Sequence, residues 1–208
     1  MITVHHLNNS RSQRILWLLE ELGLDYEIKS YLRHPETNRA PAELREVHPV
    51  GKSPVITDGD RTVMETGAII EHILDHHGDG RLRPARGTEA ETDYLQWLHF
   101  AEGSLMLPLL LMLVVGRMGE AAAPAMPFIQ GETELLFGFV ESHLAENKWF
   151  AGDEMSGADI AMSFPLEAMH SRGALGPASA AWVVRMQARD AYRRALVRGG
   201  DYAYGPKA

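Results

Sequence analysis

The chain has no cysteine. Disulfides, thiolate metal sites and Cys-x-x-Cys redox chemistry are therefore excluded, and any thiol chemistry must use a thiol that a ligand brings. Aromatic residues are sparse, at 8% of 208. Basic residues are outnumbered, 20 Lys and Arg against 28 Asp and Glu, for a formal net charge of −8. There is no long basic run, so a nucleic-acid partner is not expected. Arg83, Arg86, Arg185, Arg189, Arg193 and Arg194 are interspersed with acids and read as a solvated face. No uninterrupted apolar stretch reaches the roughly 18 residues that a membrane helix needs. The nearest, Leu105–Val115, is broken by Pro108 and reads as a buried core helix. No basic segment followed by an apolar one opens the chain, so no secretory signal is expected. These absences point to a soluble cytoplasmic protein without a membrane partner.

What is present divides in two. Ile2-Thr3-Val4-His5 has the composition of a strand, and Ser10 to Leu22 carries Ile15, Leu18, Leu19 and Leu22 on one helical stripe, ended by Gly23. Tyr26-Glu27-Ile28 reads as a second strand, and Pro41 to Val47 as a short helix with proline in its first turn. Val55-Ile56, the Asp58-Gly59 hairpin signal and Thr62-Val63-Met64 give two more strands before a helix over Gly67–His77. The order β-α-β-α-β-β-α predicts an α/β layer of helices on a small mixed sheet. Gly78, Gly80, Pro84 and Gly87 mark the best boundary. The expected division is a first domain over 1–78, a linker over 79–87 and an all-helical domain over 88–208. Helices are predicted over Glu89–Val115, Phe128–Leu144 and Gly157–His170, with one or two over Ala180–Leu196. Gly116 to Met126 reads as a loop.

Two stretches carry binding chemistry. Lys52-Ser53-Pro54 precedes Val55, and proline, which has no N–H for a ladder, suits the first residue of a strand and a cis peptide. Glu65-Thr66 stand where strand gives way to helix, and the free N–H groups of a helix start favour a carboxylate. Together they suit a small peptide with a carboxylate end. Ser156-x-x-Asp159 is a capping-box variant whose role is structural.

Lys52-Ser53-Pro54 followed by Glu65-Thr66 resembles the glutathione site of the cytosolic glutathione transferases. Ser10-Arg11-Ser12-Gln13-Arg14-Ile15-Leu16-Trp17-Leu18-Leu19 is similar to the loop and first helix of the family's bacterial and fungal serine-type branch. Met155–Ala161 resembles its buried capping motif and Ala188–Leu196 its late helical segment. The match spans nearly the whole chain. It implies a thioredoxin-like domain followed by an all-α helical bundle, in a homodimer that conjugates glutathione to hydrophobic electrophiles. Glutathione would be the co-substrate, with no cofactor. Two alternatives share that site: a glutathione-dependent peroxidase acting on organic hydroperoxides, and a non-catalytic ligand-binding protein.

By the same resemblance, Lys52 meets the glycyl carboxylate, Ser53 beside Pro54 offers backbone bonds to the cysteinyl unit, and Glu65 and Thr66 hold the γ-glutamyl ammonium and carboxylate. For the thiol donor the order is Ser10, Asn9, then Ser12, each with the alternative of capping the helix. Counting back from Arg14 lands on Asn9, whose NH2 can donate to a thiolate. Arg14 and Glu102 are further candidates, Glu102 for the ammonium. Arg33 and Arg39 lie in a preceding loop that the sequence does not place. The electrophile's wall is expected from Leu105, Met106, Leu109, Leu110 and Met112 with Trp97 and Phe100. His72 and His76 have an i, i+4 spacing that can chelate zinc, beside Asp75 and His77. With no further ligand in view, no metal site is expected and the cluster reads as an exposed helix end.

Overall fold

The computed structural model describes residues 1–206; positions 207 and 208 of the expected helical domain lie outside the described residues. The chain forms two compact units, one of residues 1–83 together with Val184 onward, the other of Pro84–Val183.

The first unit is built on β1 (Ile2–Leu7), whose neighbours on both sides leave it central and almost wholly buried. It pairs in parallel with β2 (Tyr26–Tyr31), from Ile2 opposite Tyr26 to Leu7 opposite Tyr31. It pairs antiparallel with β3 (Val55–Asp58), where Ile2 faces Asp58, and β3 turns back into β4 (Arg61–Met64). The strand order is β2-β1-β3-β4. Helices α1 (Ser12–Leu22), α2 (Leu44–Val47) and α3 (Thr66–His77) complete the expected thioredoxin-like order. The hairpin signal is displaced by one residue. Asp58 pairs with Arg61, so Gly59 (φ 57) and Asp60 make the turn and Asp58 is a strand residue.

Gly23 ends α1 in the left-handed conformation, φ 63, donating its N–H to the Glu20 carbonyl. Every residue from Ser12 to Leu19 is buried. A helix buried all round must be covered on its outer face, and here α9 (Asp190–Gly199) covers it. Trp17 meets Tyr192 edge to face with ring centroids 5.4 Å apart. Arg194 Nε donates to Glu20 at 2.8 Å, Arg189 Nη2 to Glu21 at 2.8 Å, and Arg198 Nη2 to the Tyr26 carbonyl at 2.8 Å. A Cβ on Gly199 would lie 2.6 Å from Gln13 Oε1, so glycine permits this close approach. Arg194 stays exposed and Arg189 partly so, but both are ion-paired. Their partners lie far away in sequence, on α1.

The second unit has no strand among the described residues. Helix α4 (Glu89–Phe100) runs through a π-helical turn, Ala101–Leu105, into α5 (Met106–Val115). The expected single helix is thus widened just before Pro108. That ring cannot donate to the Ser104 carbonyl and crowds it, which favours the wider turn. Residues Gly116–Ala122, expected as a loop, form 3-10 turns broken by a kink at Gly119 (φ 60), and α6 (Met126–Glu146) follows. The helical run Glu89–Ala122 is, by length and composition, long and apolar enough to cross a membrane. Its buried residues Tyr94, Trp97, Leu98, Ala101 and Leu105 instead recur at the spacing of a helix packed on one face. Trp97 anchors an aromatic cluster with Phe100, Phe139, His143 and Phe150. Helix α5 is not the buried core helix expected. Met106 and Leu109 are buried, but Leu107, Leu110, Leu113 and Val114 are exposed, because only one face of α5 packs on α6.

Helix α7 (Gly157–His170) starts with the expected capping box. Ser156 Oγ accepts from the Ala158 N–H at 3.3 Å, while Asp159 Oδ2 accepts from the Ser156 N–H at 2.9 Å and Oδ1 from the Phe150 N–H at 3.3 Å. Helix α8 (Pro177–Gln187) crosses the edge between the units. Burial pushes the Asp159 carboxyl up to about 6 against the N–H donors that favour its ionised form. Between its unfolded value of 3.8 and about 6 the folded state holds more protons. Stability from this group is therefore full at low pH and falls as pH rises through that window. Ser156→Ala is expected to cost about 1 kcal/mol. The melting temperature of the wild type relative to Asp159→Asn is expected to be highest near pH about 4 and to drop by pH about 7. Thermal unfolding of both proteins across that range checks it.

Candidate functional site

The loop between β1 and α1 is held from three directions. Asn8 Oδ1 accepts from the Arg33 N–H at 2.9 Å, and Arg33 Nη2 donates to the Asn9 carbonyl at 3.2 Å. Asn9 adopts φ 51, a left-handed conformation that asparagine tolerates better than most residues. Its Oδ1 accepts from the Ala203 N–H at 2.7 Å, while its half-buried NH2 meets no acceptor among the described residues. Ser12 is fully buried and Ser10 nearly so, at 0% and 4% exposure, with their Oγ atoms 2.7 Å apart. Ser12 Oγ also lies 2.9 Å from His6 Nδ1 and accepts from the Leu7 N–H at 3.2 Å. Its hydroxyl is spent inside the protein, fastening the loop to β1. Arg11 stands at the cap position of α1 without a side-chain cap bond, and Ser10 Oγ instead accepts from the Ser12 N–H, the first of the helix, at 3.1 Å.

Two guanidiniums flank this loop. Burial lowers the pKa of Arg11, opposed by the charges of Glu65, Tyr204 and Tyr202. Burial also lowers Arg33, and Arg11 adds to that effect. Both remain cations at neutral pH. Arg33, which sequence reasoning left unplaced, is thus part of the loop, brought there where β2 runs beside β1.

The second stretch approaches from β3. Ser53–Pro54 is the expected cis peptide, and Ser53 Oγ donates to the His5 carbonyl at 2.9 Å. Pro54 is buried immediately before β3, while Lys52 is exposed and has no partner among the described residues. At the start of α3, Thr66 is 3% exposed and its Oγ1 accepts from Arg14 Nη2 at 3.2 Å. Arg14 is 2% exposed, so it acts as an internal tie from α1 to α3. Glu65 is exposed at the cap position with φ 70 and ψ 126 and makes no capping bond of its own. A side chain held there costs about 1–3 kcal/mol, a strain that clusters at functional positions. Glu102 lies half-buried in the π-helical turn of the second unit.

The histidines of α3 differ from the expectation of an isolated, exposed helix end. His72 Nε2 and His77 Nε2 lie 3.0 and 2.7 Å from Asp58 Oδ2. A further polar group is therefore at hand. It went unseen because Asp58 was read as a turn residue, and the strand pairing aims it at α3 instead. His76 lies beside His72 with its ring tilted and the centroids 4.6 Å apart.

Residues 1–75 match the family model described as "Glutathione S-transferase, N-terminal domain", and residues 106–190 match "Glutathione S-transferase, C-terminal domain". Glutathione S-transferase 3 of Schizosaccharomyces pombe is 36% identical over 80% of this chain and 73% of its own length. Glutathione S-transferase 1 of Saccharomyces cerevisiae is 30% identical over 92% of each. The crystal structure of a glutathione S-transferase from Actinobacillus pleuropneumoniae superposes with a TM-score of 0.86 at 34% identity, over 99% of this chain and 100% of that one. With both halves matched in order and the fold reproduced, the chain belongs to the glutathione S-transferase family.

Proposed function

We propose that the enzyme binds glutathione along the first unit and conjugates its thiolate to a hydrophobic electrophile. The observation that carries this reading is the convergence at the start of α3. Thr66, tied back to buried Arg14, stands beside strained, exposed Glu65, with Arg11 close enough to feel its charge. Thr66 and the free N–H groups of α3 take the γ-glutamyl carboxylate, and Glu65 takes the ammonium. Ser53 pairs through its backbone with the cysteinyl unit, Pro54 starts the strand behind it, and Lys52 meets the glycyl carboxylate.

A free thiol has a pKa of about 8.5, and lowering it by about two units corresponds to about 2.7 kcal/mol. We assign the donor to Asn9, whose NH2 meets no acceptor among the described residues, ahead of Ser10, whose hydroxyl is buried against Ser12. Ser12 has a structural role. The thiol proton leaves to solvent, the sulfur attacks an electrophilic carbon, and a C–S bond forms. In a substitution the leaving group departs with its electron pair; in an addition the product carbanion takes up a proton. Arg11 and Arg33 favour the anion through their charge. A homodimer in the cytoplasm completes the reading, supported by the family and by the apolar face of Leu107, Leu110, Leu113 and Val114 left open in the single chain.

Calorimetric titration with glutathione, with ultraviolet thiolate absorbance followed against pH, tests the proposal. Saturable binding with a depressed thiol pKa is expected. No binding at millimolar glutathione sinks the reading, and binding without a pKa shift turns it toward a carrier. A hydrogen bond to a charged group contributes about 1.5–3 kcal/mol, so Asn9→Ala should slow conjugation roughly 10–100-fold and raise the bound thiol pKa. If Ser10→Ala does this instead, the donor is Ser10. Conjugation and organic hydroperoxide reduction assayed side by side separate transferase from peroxidase.

Glu65→Gly yields a second prediction. Glycine relieves the positive φ, so stability should rise by about 1 kcal/mol while glutathione affinity falls with the lost carboxylate. Denaturant unfolding and titration of the same sample measure both, and a fall in stability would refute the strain assignment.

A further inference from the structure

We propose that Asp58, His72 and His77 form a binding site for one zinc ion, joining the β3–β4 hairpin to the C-terminal half of α3. Each residue offers one ligand atom, and the three atoms lie within 4.8 Å of one another. Both imidazole Nε2 atoms converge on the same carboxylate oxygen, at 3.0 and 2.7 Å. Ligands about 2.0–2.2 Å from a tetrahedral zinc stand roughly 3.3 Å apart, so an ion enters once the three atoms, now within 4.8 Å of one another, adjust to that spacing. Two nitrogens and one carboxylate oxygen suit zinc chemically, and the fourth position falls to water.

The surroundings favour a ligand role over a simple ion pair. Anchoring the hairpin takes one imidazole, yet two share Oδ2 and the second oxygen of Asp58 meets no donor among the described residues. The side chains of His72 and Asp58 are 10% and 15% exposed, and that of His77 is 32% exposed. The site is thus shielded on one side and open on the other for entry and for a water. Neither imidazole has a partner at Nδ1 among the described residues, so the proton displaced from Nε2 has a place to go. The neighbouring acids do not compete, because Glu71 and Asp75 are paired with Arg83. His76 is outside the donor set, so the i, i+4 pair visible in the sequence is not the one that binds. The ion would clamp β3, which follows Pro54, to the helix whose other end carries Glu65 and Thr66. Its role would be structural.

Tag-free protein, stripped with chelator and dialysed, should bind one Zn²⁺ per chain by calorimetry and give the intense visible bands of tetrahedral Co²⁺ when titrated with cobalt. Zinc should raise the melting temperature. Asp58→Asn, which keeps the side-chain shape, and His77→Gln, which removes the imidazole but keeps a polar side chain of similar reach, should each weaken binding by at least roughly tenfold with far-ultraviolet dichroism unchanged. His76→Ala should leave binding unaltered. The absence of saturable zinc binding would overturn the site, as would binding that survives both ligand substitutions. Loss in His76→Ala with retention in Asp58→Asn would assign the metal to the helix alone and equally overturn it. Should a ligand variant fail to fold, the wild-type cobalt spectrum and the His76→Ala result still decide.

Discussion

Helix α1 is enclosed by β1, α3 and α9, and most of the first unit takes its position from that enclosure. An enclosed helix cannot slide or rotate without opening a cavity, and interiors packed at crystalline density resist this. Its polar first turn is enclosed as well. Ser12 is fastened to His6 and Leu7, and Arg14 to Thr66. The same helix therefore fixes the loop of Asn9 and the start of α3, two places that a ligand must find together. Burial of the serine is tolerated because its hydroxyl is paired within the protein, and the buried arginine is held by Thr66.

Rigidity in one place permits strain in another. Asn9 and Glu65 both occupy positive φ, and both sit at junctions between a strand and a helix. Loops and junctions carried by a firm scaffold are where binding groups are usually found. The ion pairs of α9 with Glu20 and Glu21 belong to this scaffold. Burial raises the pKa of the Glu20 carboxyl, but hydrogen bonds from Arg194, Tyr26 and Arg198 outweigh it, and the carboxyl titrates below its ordinary range. It therefore stays ionised and paired to lower pH than an isolated glutamate would.

Local signals were readable where they depended on neighbours in the chain. Gly23 as the stop of α1, Pro54 before β3, and Ser156 with Asp159 at the head of α7 all follow from chemistry within a few residues. The widened turn before Pro108 was not read, although its cause is local. The signals that failed were those whose meaning came from distant residues. Arg189 and Arg194 read as solvated because nothing near them in sequence announces Glu20 and Glu21. Asp58 read as a turn residue because Asp-Gly is such a strong hairpin signal, and a shift of one residue turned it toward His72 and His77. The order Ser10, Asn9, Ser12 was read without the burial of the serines, which depends on β1 and α1 meeting beneath them.

The amino-acid sequence by itself determined the order of strands and helices, the stops and caps, the lack of any protein thiol, and the pairing of Lys52-Ser53-Pro54 with Glu65-Thr66 that marks the family. Periodicity, proline, glycine and side-chain hydrogen bonding act over a few residues, so these features need no tertiary information. Only the tertiary structure decided which polar groups stay available. It buried Ser12 and left the Asn9 NH2 without an acceptor among the described residues, made Arg14 a tie and brought Arg33 to the loop. It also gathered Asp58, His72 and His77. Burial and long-range pairing are properties of the packed chain, and they set whether a serine, an arginine or a histidine serves the scaffold or a ligand.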